Sequence, residues 1–279
     1  IQIDVEPLTD DEFADALEVV RLAAEHGDVD ASWFDLVTAT AFRAFSDAAV
    51  DVMVIEVGML GRYDSTNVVD GVVAVVTNIS KDHTDGADGW REAIASEKAG
   101  IVKPGTTLVL GDIDDDLHHY FEAENPGSVL RFGPQIELTS NALGVGGRVI
   151  DLRTQRDVYD AVMVSLHGRH QGVNAALAIA AAEAFLDAPL ERDHLDAAMG
   201  QAAMRGRFEI LAADPIIVID GAHNPQGART AARTFAEAFT PFGQRMLIVG
   251  MMEEKDPVEM LQALDATSAE IVICCEPDW

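Results

Sequence analysis

The stretch GVVAVVTNISKDHTDGADGWREAIASEKAGIVKPGTTLVLGD, residues 71–112, decides the fold. Its opening GVVAVVTNIS is apolar on both faces, as a strand inside a parallel sheet must be. WREAIASEKAG then reads as a helix stopped by Gly100 at the C′ position. TTLVLGD is a second strand of the first kind. Strands alternating with helices predict an open, largely parallel α/β sheet.

Upstream, VDVMVIEVG (50–58) predicts another strand buried on both faces. Ser32 is placed to cap a helix WFDLVTATAFRAF. TDDE (9–12) is a capping-box pattern ahead of the apolar stripe Phe13, Leu17, Val20 and Ala24. Downstream, NPGS, NALGVGG and YDAVMVSL break the alternation between 126 and 165 and predict antiparallel strands decorating the sheet. GVGG has neither the lysine nor the Ser/Thr of a phosphate loop and reads as a hairpin turn. Two helices follow, VNAALAIAAAEAFL and HLDAAMGQAAM. A new α/β run then begins: IIVID, a helix to about 239, RMLIVG, DPVEMLQAL and EIVICC. This places a boundary after RGRFE, with one domain over 1–211 and a second over 212–279. The second run stops after three strands, mid-pattern, and the first opens on a helix without a nucleotide-binding strand. The chain is therefore expected to be cut at both ends.

The 279 residues are 48% hydrophobic, with mean hydropathy +0.09, a globular composition. The formal charge of −29 repels nucleic acid and anionic membrane. An anionic substrate would need a local cation or metal to override that field. The only cysteines, Cys274 and Cys275, are adjacent in a strand and form neither a disulfide framework nor a spaced metal motif. A reducing cytoplasm is the expected compartment. No apolar run is long enough to cross a bilayer and no signal peptide is visible. GxxxxGK[ST], CxxC, HExxH and GxSxG are all missing, against zinc proteases and serine hydrolases.

Several residues ask for an explanation. Glu56 ends an apolar strand pattern, where a carboxylate must either meet a cation or cap an amide. His83 follows the strand at 71–80; it is either a metal partner of Glu56 or a loop histidine bonded to Asp82 or Asp85. Lys98 sits in a helix's last turn, an ordinary placement for a cation. Asp64 and Asn67 suit a loop as well as a ligand. Asn174 begins the alanine-rich helix, as a cap or as a reader of an adenine edge. Arg205 and Arg207, scarce cations at the domain junction, suit an anion or an interdomain salt bridge. In DGAHNP (220–225), Asn224 and Pro225 make a good helix start. Asp220 and His223 have no such account.

Taken in order, EVGMLGRYDSTN, TNISKDHTD, SEKAGIVKPG, HQGVNAALA, RGRFE, DGAHNP and GMMEEKDP resemble the Mur-ligase superfamily, and within it the folylpolyglutamate synthase/dihydrofolate synthase family. WFDLVTATAF is similar to that family's aromatic–Phe–Glu–x–x–Thr segment. The resemblance runs from Trp33 to Pro257. It implies a central ATPase domain with a mostly parallel sheet and a partial Rossmann-like C-terminal domain. It also implies an activity: ATP phosphorylates a folate or dihydropteroate carboxylate, and the amino group of L-glutamate attacks the acyl phosphate to form an amide.

By the same resemblance, Glu56 and His83 would be ligands of a second Mg²⁺ in a two-site arrangement. Lys98 would be the lysine that family members carbamylate. Asn174 and Arg207 would contact ATP, as would Asp220 and His223 from the C-terminal domain, His223 also serving in catalysis. Asp64 would lie in the pterin site, and Lys255 and Asp256 would organise the C-terminal domain. Small-molecule substrates and a monomer are implied. The family's TGTNGKGS-like phosphate loop, which precedes the region matching residue 1, has no counterpart here. Two readings stay open beside this one: a Mur-type ligase of a cell-wall peptide, and a non-catalytic chain that keeps the fold. The forms WFDLVTATAF and GRYDSTN favour the folate branch.

Overall fold

The computed structural model describes residues 1–80, 87–239, 243–252 and 255–276. The two N-terminal helices begin where their caps require. In α1 (Asp10–His26) Thr9 accepts from Glu12 N while the Glu12 side chain returns to the Thr9 backbone. In α2 (Trp33–Asp47) Ser32 and Asp35 repeat the arrangement. A short antiparallel pair, β1 (Gln2–Ile3) with β2 (Glu6–Pro7), precedes them.

The parallel unit expected from residues 71–112 is present. Strands β3 (Val73–Asn78) and β4 (Thr107–Asp112) pair in parallel, with α3 (Trp90–Ala99) between them. After the short α4 (His118–Glu122) comes β5 (Ser128–Arg131), which also runs parallel to β4. It extends the sheet rather than joining the antiparallel strands expected from residue 126 onward. Those are β6 (Glu137–Gly144), β7 (Gly147–Arg153) and β8 (Val158–Val164), a separate three-stranded meander. GVGG is the hairpin turn between the first two, with Gly146 at φ 82°.

Segment 50–58 is not a strand. Val52, Met53 and Val54 are solvent-exposed, and among the described residues no ladder bonds hold this stretch. An apolar run is necessary for a buried strand, but a partner must also satisfy its backbone groups. Among the described residues none does so, and Glu56 is exposed rather than ending a buried element.

Strand β4 is the centre. Leu108 and Leu110 enter a core with Ala95 and Ala99 of α3, Ala74 and Val76 of β3, and Phe121. Val109 points the other way, into a core with Ile150, Val162 and the helix α5 (Arg169–Leu186). Helix α5 begins five residues before Asn174, which therefore lies in its second turn rather than at its start.

Tyr159 closes this second core over α6 (Arg192–Gly200). Its hydroxyl donates to buried Glu183 at 2.7 Å and accepts from Leu190 N at 2.8 Å. Burial, with Glu183 adding to it, pushes the Tyr159 hydroxyl up from 10.0 to about 12. A raised folded value favours the protonated form. The contribution is therefore complete below pH 10 and is lost as pH rises toward 12. Tyr159→Phe leaves a buried carboxylate and an amide unmatched. The expected cost is about 1–3 kcal/mol. It is measured as a lower urea midpoint at unchanged slope, together with loss of that alkaline dependence. An unchanged midpoint would refute the clamp.

The C-terminal part is an antiparallel pair, β9 (Glu209–Ala213) with β10 (Ile216–Ile219), then α7 (Pro225–Ala238) capped by Asn224. Strands β11 (Met246–Gly250) and β12 (Ile271–Cys275) pair in parallel across α8 (Pro257–Ala263), which Asp256 caps. Among the described residues no helix is long and apolar enough to cross a membrane.

Candidate active site

A cleft of ≈ 220 Å³ is lined by Val57, Gly58, Met59, Leu60, Asn78, Ser80, Ile94 and Lys98. Three elements meet there: the loop after residue 57, the carboxyl end of β3, and the last turn of α3. In open α/β sheets, ligands collect at the carboxyl ends of the strands. Lys98 supplies an amine, Ser80 a hydroxyl and Asn78 an amide.

The loop 58–68 is fastened from both sides. Asp64 caps a short 3₁₀ turn (Ser65–Val68), accepting from Met59 N at 2.8 Å, Thr66 N at 3.0 Å and Thr66 Oγ1 at 2.5 Å. Burial alone would raise its pKa. The bonds from Thr66, Met59 and Gly58 outweigh that and hold it below the usual carboxylate range. On the α2 side, Ser65 donates to Asp35, and the Phe34 ring lies where a side chain at Gly58 would go.

On the α3 side the helix's terminal carbonyls are all used. Arg62 N donates to Glu97 O at 2.9 Å, and its guanidinium donates to Ser96 O at 2.9 Å and to Glu124. Asn67 donates to Arg62 O (2.8 Å) and Gly100 O (3.1 Å), and Lys103 Nζ reaches Asn67 Oδ1 at 2.9 Å. Asn67 is thus a loop fastener, one of the two roles open from sequence. Gly100 is not a left-handed C′ residue: its φ is −60°. The glycine is needed because a Cβ there would stand 2.6 Å from Arg62 Cα.

Of the residues singled out from sequence, Lys98 lines the cleft, and exposed Glu56 directly precedes the lining residue Val57. His83 lies outside the described residues. A second set gathers where α5 meets the C-terminal part. Asp220 accepts from Phe208 N and Ala222 N, each at 2.8 Å, and its charge acts on His170 of α5. Burial lowers the His170 pKa and Asp220 partly offsets that. The His223 ring meets Gly221 O at 3.1 Å, and the Arg207 guanidinium lies over the same glycine. Asn174 donates to Gln171 Oε1 at 3.2 Å. Asn78 and Ser80 were not singled out. Their signal was the polar ending TNIS at a strand's carboxyl end.

Family models match in the same order as the architecture. Residues 34–182 match the Mur ligase middle domain and residues 206–278 the Mur ligase glutamate ligase domain. The chain is 38% identical over 255 residues to the dihydrofolate synthase/folylpolyglutamate synthase of Mycobacterium tuberculosis, covering 87% of this chain and 52% of that protein. It is 31% identical to the folylpolyglutamate synthase of Lacticaseibacillus casei, covering 99% of this chain and 67% of the relative. The chain thus spans about half to two thirds of the length of these relatives. Among solved structures, M. tuberculosis folylpolyglutamate synthase complexed with ADP superposes with a TM-score of 0.88 at 35% identity, over 98% of this chain and 63% of that one. Sequence motifs, domain order and backbone agree: the chain belongs to the folylpolyglutamate synthase/dihydrofolate synthase family of Mur ligases.

Proposed function

We propose that the protein carrying this chain is an ATP-dependent ligase that joins a folate or dihydropteroate carboxylate to the amino group of L-glutamate. The observation that carries the reading is the cleft at the end of β3, where Lys98, Ser80 and Asn78 face one space in a chain of this family. A related complex is described as holding AMPPCP and folate, at a TM-score of 0.86 and 29% identity. A carboxylate resists attack by an amine until it carries a leaving group. ATP supplies that group as phosphate, and the acyl phosphate loses it when glutamate nitrogen attacks. Amine, hydroxyl and amide donors are the groups that hold phosphate oxygens. The cleft therefore suits the anionic end of the reaction despite the chain's net charge of −29.

Arg207, Asp220 and His223 of the second set, together with Asn174 of α5, are proposed for ATP, and Asp64 for the pterin. Magnesium at Glu56, His83 and Lys98 rests on the family resemblance. Among the described residues no three His, Cys, Asp or Glu side chains cluster, and His83 lies outside them. Lys98 carbamylation has the same footing. In the full-length protein that contains this chain, ATP and glutamate are expected to yield ADP, phosphate and a glutamylated product with dihydropteroate, tetrahydrofolate or both. The two arms separate dihydrofolate synthesis from polyglutamate extension. No product in either arm would overturn the reading.

A further inference from the structure

Arg148, the second residue of β7, is an odd choice for a core position. Its side chain is 1% exposed, among the largest fully buried side chains. Two of its three nitrogens are satisfied at home: Nε donates to Asn141 Oδ1 at 2.8 Å and one terminal nitrogen to Asn141 O. The other terminal nitrogen makes no hydrogen bond. It faces Glu237 Oε2 at 3.3 Å, the ion pair recorded for Arg148 among the described residues.

Glu237 belongs to the last full turn of α7, in the segment matched by the glutamate ligase domain. Its second oxygen accepts from Arg169 Nε at 2.9 Å. Arg169 is the first residue of α5, and its carbonyl accepts from Asn141 Nδ2 at 2.9 Å. Arg148, Asn141, Arg169 and Glu237 therefore form a closed ring, with three members in the middle-domain segment and one across the junction. A buried guanidinium that loses its counter-ion is costly. Moving α7 away would leave Arg148 in that state. Other contacts follow the same seam. His167 packs on Phe208 and Phe239 with ring centroids 5.7 and 6.5 Å apart, and a side chain at Gly168 would meet Thr234 of α7.

We propose that Glu237 is a positioning residue, a two-armed latch that fixes the C-terminal domain against the start of α5. It thereby holds the Asp220–His223 loop beside His170. Its consequence for turnover rests on the ligase reading; the geometric claim does not.

The test measures the distance between spin labels at Val145, on the exposed β6–β7 turn, and at exposed Val258 on α8. Cys274 and Cys275 are first replaced by serine in the full chain. Glu237→Gln is expected to broaden the distance distribution roughly twofold, because Arg148 then lacks its counter-ion. Arg169→Gln removes only the exposed arm and is expected to broaden it less. If Glu237→Gln does not fold, the pair Arg148→Met/Glu237→Gln removes the stranded cation too, and is expected to fold with the broad distribution. In the active ligase, Glu237→Gln is expected to raise the KM for ATP by ~10-fold with a smaller change in kcat, since Glu237 touches no reacting atom. A distribution unchanged from the parent in folded Glu237→Gln, or in the folded pair, overturns the latch. A broadened distribution in a chain without ligase activity supports the latch and counts against the ligase reading alone.

Discussion

Lys98→Met is expected to lower turnover by about 10²–10³-fold, the scale seen when a preorganised donor is removed from a transition state. Lys98 is the charged side chain among the residues lining the cleft, and Met fills similar space without a charge. The fold should not suffer, because the neighbouring buried residues Ala95 and Ala99 carry the α3 core. Two further replacements identify the working form. If the amine acts as a cation, Lys98→Arg keeps part of the activity; if a carbamate acts, Lys98→Glu does, and the parent loses turnover in CO₂-free buffer. A carbamate would also show as a carbon-13 resonance after labelling with bicarbonate. Turnover within threefold of the parent in Lys98→Met would remove Lys98 from the mechanism, a threshold set at roughly 0.7 kcal/mol.

Gly100→Ala is expected to damage stability and turnover together. The added carbon would stand 2.6 Å from Arg62 Cα and 2.8 Å from Arg62 Cγ. Arg62 cannot easily withdraw: its backbone is bonded to Glu97 O and its side chain to Ser96 O and Glu124. Overpacking of this kind costs about 1–3 kcal/mol. For a chain of this size the midpoint of thermal unfolding should fall by roughly 2–10 °C. The strain is relieved by moving loop 58–64 off α3, which widens the cleft between Met59 and Lys98. A displacement near 1 Å can cost about 10²-fold in rate. Gly200→Ala is the control, since nothing lies within 4 Å of an added carbon there. Equal midpoints for the two variants would refute the close-approach account.

Legibility from the sequence followed the range of the interactions. Thr9 with Glu12, Ser32 with Asp35, and Asn224 with Pro225 act within four residues, so the starts of α1, α2 and α7 could be read directly. Segment 50–58 has the composition of a buried strand, but strand formation depends on a partner that composition cannot name. For the same reason β5 could not be assigned to β4: the register Thr107↔Ser128 is a long-range fact. Gly100 was correctly expected at the end of α3, for a reason that proved wrong. Lys98, which lines the cleft, was singled out through motif resemblance. The bonds that hold its surroundings, such as Arg62 to Glu124 across 62 residues, leave no local pattern. Glu237 was missed likewise; one glutamate near the end of an exposed helix looks like any other until Arg148 is seen behind it.

Strand β4 has one more consequence. Leu108 and Leu110 serve one apolar cluster and Val109 the other, all three essentially without solvent contact. Two clusters on separate strands could melt in turn. Here the loss of either exposes the backbone that the other needs, so the middle domain should unfold in a single cooperative transition. Amide exchange at residues 108–110 should then report the global opening event rather than local fraying.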